Sequence, residues 1–411
     1  ATVAVANAAL PKAGGTMTGN IATKGISSVT AGSNNFVAGV NAGNSIVSGG
    51  DNNTLAGTNA GTAVTTGDFN TALGSQALAQ TNTSSQNTAI GGYAMYYNTT
   101  GGSNTAVGLQ ALLDNTTASN NTAIGMNALT NNTTGTQNTA LGGTSLAANT
   151  TANYNTGVGY NSLAANTTGA SNVAIGAAAL DANTTGASNV AVGRSALTAN
   201  TTGVENTAVG MRALVTNTTG DDNAAVGKDA LRYNTTGINN TATGVAALRD
   251  NTTASYNSAM GMYALAANTT GSYNTSLGMN ALKTNSTADF NTALGFDALG
   301  LNTTGANNCS LGVNALRDNT TGSFNTAFGR SALLVNTTAN QNVAIGGESL
   351  DANTTGSDNV AVGISSLGAN TTGTYNTAVG SSALAANTTG GSNTAVGQGS
   401  GYTNTTGGFN T

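Results

Sequence analysis

From residue 70 to residue 409 the chain writes one pattern of apolar and polar positions twenty times, every 17 residues, without insertion or deletion. The line reads N-T-A-[VIL]-G-x-x-A-L-x-x-N-T-T-G-x-x. Asn at position 1 and Gly at position 5 are invariant, and Thr at position 14 is too. Leu holds position 9 in eighteen lines, with Met95 and Gly401 as exceptions, and Asn holds position 12 in nineteen. The line is too short for two helices, and Gly and N-T-T break it too often for one. N-T-A-V-G reads as a short strand and x-A-L-x as a second. Gly at position 5 and the N-T-T-G group mark corners, because Gly and Asn tolerate positive φ. A fixed short period is the mark of stacked units. The pattern therefore predicts an all-β fold, a parallel β-solenoid (β-roll) of 17-residue coils.

The same pattern divides the chain. Residues 70–411 hold the twenty coils and the start of a twenty-first. Residues 34–69 read as degenerate lead-in coils: 53–69, NTLAGTNAGTAVTTGDF, keeps the phase, while NNFVAG and SIVSGG within 34–52 lie out of it. Residues 1–33 read as an N-terminal attachment or linker segment. The chain begins without Met, so a piece of a longer protein is expected.

Substitutions between coils report what each column faces. Position 2 is Thr thirteen times and otherwise Val, Ala, Ser or Cys309, so it looks sterically confined, and Cys309 is expected to be a core substitution. Position 4 is almost always Val, Ile or Leu. Position 3, on the opposite face of the strand, is Ala in seventeen coils. Small, uniform residues on both faces predict that one lines the coil interior and the other packs against an identical chain. Ala106, Ala174, Ala191 and Ala208 are the expected interchain contacts. Stacked Asn at positions 1 and 12 are expected to form amide ladders. Basic residues within the repeat keep to positions 6, 7 and 10, and acids to 7, 10, 11, 16 and 17, which marks those columns as solvent-facing. Column 17, with seven Tyr or Phe residues, reads as structural.

Composition narrows the function. Only 6% of residues are charged, and the formal net charge is −5 over 411 residues. The near-neutral chain is expected to hold no basic patch able to neutralise phosphates, so nucleic-acid binding is not expected. No apolar run approaches a membrane span. With no His and a single Cys in a Thr column, no acid–base or thiol constellation forms, so no enzyme activity, metal site or cofactor is expected. Asp221 and Asp222 with Asp229 make only a weak cation motif. N-T-T matches a glycosylation sequon, but glycans at every coil would collide. Threonine columns 13 and 14 admit an ice-binding reading. Tyr93, Tyr96 and Tyr97 cluster in one coil and are the candidate receptor contact.

Two segments carry a resemblance. LPKAGGTMTGNI (10–21) resembles the GGTMTG segment of phage tail fibres, between their attachment region and shaft. The NTAxGxxALxxNTTG units resemble the repeats of tail-fibre shafts and are similar to the shorter coils of trimeric autotransporter adhesin heads. The resemblance implies a left-handed roll, three chains around one axis, and an extracellular or virion location. It also implies partners among other virion tail proteins and a host surface glycan or protein. The expected role is a fibre shaft that positions host-receptor binding, with a bacterial surface adhesin or an ice-binding rod as alternatives.

Overall fold

The computed structural model describes residues 26–27 and 31–411 of the chain. GGTMTG lies outside the described residues. All secondary structure among them is β, and the chain divides into two units, residues 1–136 and 137–411.

In the first unit, β1 (Ile26–Ser27) pairs antiparallel with β2 (Phe36–Ala38). From β2 the strands run parallel, each directly beside its successor, through β3 (Thr54–Ala56) and β4 (Thr71–Leu73) to β7 (Thr122–Ile124). In the second unit, β8 (Thr139–Leu141) to β23 (Thr394–Val396) form the same parallel ladder, as in Val190↔Thr207 and Ala191↔Ala208. Each coil thus supplies one strand of three residues, at positions 2 to 4. A rise of about 4.8 Å per coil carries the longer unit roughly 70 Å.

The rest of the coil is turn and bend, yet its backbone bonds between coils all the same. Leu214, Ala199 and Thr201 N–H donate to carbonyls of the following coil at 2.9 to 3.1 Å. Gly210, Arg212 and Glu205 donate to the preceding one at 2.7 to 3.1 Å. Buried backbone amides must find partners, and here the adjacent coils supply most of them, in strand and turn alike.

The expected second strand, x-A-L-x, is instead a pair of turns. Ala213 N–H bonds to Gly210 C=O (3.3 Å) and Asn217 N–H to Leu214 C=O (3.1 Å). Leu214 has φ 50° and Arg212 φ 58°, left-handed values that no strand contains. The same conformation recurs at positions 7, 9 and 17 of nearly every coil. A 17-residue loop that must close on itself needs corners more than it needs a second strand. Holding Leu in this region costs about 1–2 kcal/mol. The Leu column is fully buried, and each such side chain contributes roughly 1.5–3 kcal/mol, so burial holds the strain.

Position 5 is tighter still. Gly227 has φ 135°, and a Cβ there would sit 2.7 Å from the carbonyl carbon of Gly244 in the next coil. Only Gly meets both demands, which explains its invariance.

The core of each coil is formed by positions 3, 8, 9 and 12, with the Asn of position 1. Ala106, Ala174, Ala191 and Ala208 are completely buried inside their own chain, so, contrary to the expectation, they are not open to contact with another chain. Positions 2 and 4 are half-buried or exposed, and the strand is not hidden on both sides. The lead-in coils obey the same assignment. In 53–69, Leu55 at position 3 fills the space that Gly61 leaves at position 9, where an added Cβ would meet Leu55 Cδ1 at 2.8 Å. The preceding coil does likewise with Val37, Gly43 and Ile46. It spans 18 residues, Asn53 N–H bonding back to Asn35 Oδ1 (2.8 Å), which explains the loss of phase in 34–52.

Gly227→Ala is expected to destabilise its coil by about 2 kcal/mol or more, because of the glycine-only φ. Gly220→Ala should cost less than Gly227→Ala: an added Cβ would press on Gly237 C=O (2.3 Å), but the backbone there has no glycine-only φ, and Ala118, Ala152, Ala254, Ala288 and Ala339 already occupy that column, so the coil can shift to fit. Amide hydrogen exchange in coils 206–256 of the two variants checks the contrast.

Candidate interaction surfaces

Buried amides come first, because they decide which side chains remain free. Asn200 Nδ2 donates to Asn183 Oδ1 (2.9 Å) and to Gly203 C=O (2.9 Å). Asn189 Nδ2 reaches the same Gly203 carbonyl from position 1 (2.8 Å), while Asn206 N–H bonds to Asn189 Oδ1 (3.0 Å). Both Asn columns are ladders, as expected, and they share one acceptor at position 15 of each coil. The ladder survives the one exception at position 12, where Thr81 Oγ1 accepts from Asn98 Nδ2 (3.3 Å). The Asn of every N-T-T motif in coils 87 to 376 (N-S-T at Asn285) is fully buried with its amide engaged, which denies it to a glycosylating enzyme. Thr184 Oγ1 donates to Thr201 C=O (3.0 Å), and its column repeats the bond, so position 13 hydroxyls also serve the stack. Position 14 faces solvent.

What remains outside falls into three surfaces. The first is the strand face. In the longer unit, position 4 carries Val, Ile, Leu, Met or Phe in fifteen of sixteen strands, with Thr243 as the exception. Ile175 and Val226 are each 41% exposed, and no charge occurs at positions 2 to 4 of any of these strands. At about this exposure the column leaves on the order of 1,000 Å² of contiguous apolar surface, above what monomers ordinarily show.

The second surface is aromatic. The structure brings Tyr93, Tyr96 and Tyr97 together: the Tyr93 and Tyr96 ring centroids are 5.6 Å apart, and Tyr96 meets Tyr97 edge-on at 4.6 Å. Tyr93 and Tyr97 are exposed. Column 17 is exposed too, in keeping with the acids it also carries. Tyr256, Tyr273 and Phe290 stack at 5.1 Å, nearly parallel, along the surface.

The third is the charged edge at positions 6, 7, 10 and 11. Asp229 does not join Asp221 and Asp222 as a cation motif. Arg212 clasps it through two hydrogen bonds (2.8 and 2.9 Å), and Arg232 approaches at 3.6 Å. Asp221 Oδ1 accepts from Val204 N–H (2.8 Å). No group of three His, Cys, Asp or Glu among the described residues is placed to hold a metal ion. Partial burial raises the carboxyls of Asp114, Asp181 and Asp351 above the ordinary range. It raises the thiol of Cys309 as well, which opposes a reactive thiolate. Cys309 is not the core residue expected of its column: its strand position points outward, and it is half-buried.

Among the described residues no helix is long and apolar enough to cross a membrane. Compared with known proteins, the chain matches no protein-family model and no curated protein sequence.

The raised carboxyls set a pH sign. A folded-state value above the unfolded one means that the folded state binds more protons, so these groups favour folding at low pH. Their contribution is lost as pH rises from the ordinary carboxylate value through the raised one. Thermal unfolding of the triple variant Asp114→Asn, Asp181→Asn, Asp351→Asn should show a smaller gain than wild type on going from pH 7 to about pH 4.

Proposed function

We propose that this chain is a structural shaft: a length of extracellular fibre that holds a binding element away from the particle or cell that carries it, most simply as part of a phage tail fibre. The observation that carries the reading is the uncharged apolar strip along the strand face. A stack of identical coils is stiff along its axis, and it commits its buried polar side chains to ladders instead of to a site for chemistry. Its strip, periodic at the coil rise, is matched best by another copy of itself in parallel register. A strip on the order of 1,000 Å² per chain is enough for a stable interface.

The assembly is therefore a homo-oligomer closed through positions 2 and 4, and the resemblance to tail-fibre shafts and adhesin heads favours three chains. The Tyr93, Tyr96 and Tyr97 cluster remains at the outer turns and is the candidate contact for a host glycan or protein. No catalytic role is proposed: the chain lacks His, and partial burial pushes its one thiol further from the reactive thiolate. A virion or otherwise extracellular location follows from the shaft reading, with other tail proteins as neighbours. The adhesin reading shares the same rod and differs only in what carries it.

Mass in native solution tests this. The chain should sediment near three times its 39.8 kDa. Ile175→Lys with Val226→Lys should give folded monomer, because both side chains point outward. Ala208→Glu should instead abolish folding of its coil, because that position is sealed inside the chain. A dispersed wild-type monomer would overturn the proposal.

A further inference from the structure

Basic residues are few in this chain, yet six of the eight in the repeat fall in six consecutive coils, between residues 189 and 290. Arg194, Arg212, Lys228, Arg232, Arg249 and Lys283 are scattered along the sequence, with gaps of up to 34 residues, and the fold lines them along one edge. Contacts establish the edge. Arg212 bonds to Asp229 one coil on, and Arg232 approaches the same carboxylate within its own coil. The Lys283 ammonium lies 5.9 Å from the ring centre of Tyr263 in the preceding coil, and Arg194 Nη2 lies 3.4 Å from Met211 Sδ in the next.

In these coils the edge holds two carboxylates besides Asp297 of the following coil: Asp229 and Asp250, and both are taken by arginines. Arg194, Lys228 and Lys283 are exposed and face no carboxylate within salt-bridge distance among the described residues. Arg232 Nε is buried and lacks an acceptor. The other acids of the same coils, Glu205, Asp221, Asp222 and Asp289, occupy positions 16 and 17, separated along the coil by the strand on one side and the N-T-T corner on the other. Charge is thus segregated by column, and a chain of net negative charge carries a cationic strip.

We propose that this edge binds a linear acidic polysaccharide lying along the coil axis. Six coils at about 4.8 Å rise make a strip of roughly 24 Å, with about one net positive charge per 6 Å. A sugar polymer bearing a carboxylate or sulfate on every ring or every second ring has charge on that scale. Duplex nucleic acid presents a charge about every 1.7 Å of its axis and asks for a broader, denser basic field. Tyr233 and Tyr263, both exposed, stand among the cations, with the Arg232 guanidinium 4.9 Å from the Tyr233 ring centre. Their rings offer apolar surface to a sugar face between charged contacts. The edge lies past the Gly corner from the apolar strip, so the inference stands whether or not the chain assembles through that strip.

The test uses the whole chain and three polymers of matched length: heparin as the sulfated probe, alginate as the carboxylated one, and dextran as the neutral control. Wild type should bind heparin or alginate, and which of the two identifies the anion; dextran should not bind. Affinity should fall steeply between about 50 and 200 mM salt. Lys228→Glu with Lys283→Glu cancels the net charge of the strip and should weaken binding by roughly tenfold or more. Arg330→Glu, outside the strip, should leave it unchanged, and circular dichroism should show both variants folded. Absence of binding to both acidic polymers would overturn the proposal, as would an equal loss in Arg330→Glu. Tighter binding to duplex DNA of equal length would reject the polysaccharide in favour of nucleic acid.

Discussion

Among the described residues, the buried Asn side chains of positions 1 and 12 are satisfied by a neighbouring coil or by the one carbonyl at position 15 that the two columns share. That constraint governs the rest. A coil of 17 residues buries about one Leu, a few Ala and two Asn side chains, far too little to offset the roughly 1–2 kcal/mol per residue of backbone entropy that ordering costs. What makes it stable is repetition: the Asn183 carbonyl oxygen receives the Asn200 amide, which in turn offers its own oxygen to Asn217, 3.0 Å away. Such a ladder tolerates no slip, because one residue out of step would leave donors and acceptors unpaired along a whole column.

The local strain follows from the same demand. To bring position 12 back beside position 1, the chain turns at positions 5, 7, 9 and 17, and at each it adopts a backbone conformation that most residues avoid. Gly absorbs one of these turns; Leu absorbs another only because its side chain fills the coil. Where Leu is absent at position 9 in the lead-in coils, a larger residue at position 3 takes its place. Gly157 shows the reverse exchange. A Cβ there would sit 2.5 Å from Ser145 Oγ, and Ser145 and Ser162 hydroxyls occupy the gap, 2.9 Å apart and each bonded to a backbone carbonyl. Volume inside a coil is conserved more strictly than identity.

With the interior fixed, function is left to what varies outside it. The strand face is apolar and monotonous, suited to a partner with the same monotony. The turn edge is chemically diverse, with the tyrosine cluster of one coil and the cationic strip of six others. The proposed shaft, with the proposed binding groups along its side, accommodates both, since neither surface disturbs the ladders that hold the coils together.

The sequence alone determined the coil length, the parallel stack, the two Asn ladders and the invariant corner glycine, because in a repeat every column is sampled twenty times and each substitution reports its surroundings. It also confined charge to the outer columns. What it left undecided was direction. A three-residue strand alternates its faces, and Ala on one side and Val on the other are both compatible with burial. Only the closed coil shows that Ala208 points in and Val226 out. In the same way A-L reads as a strand, because hydrophobicity does not report the sign of φ. The cationic strip is not legible in the sequence either, since its members are spread over some ninety residues, and only the 17-residue wrap, setting each coil against the next, makes them neighbours.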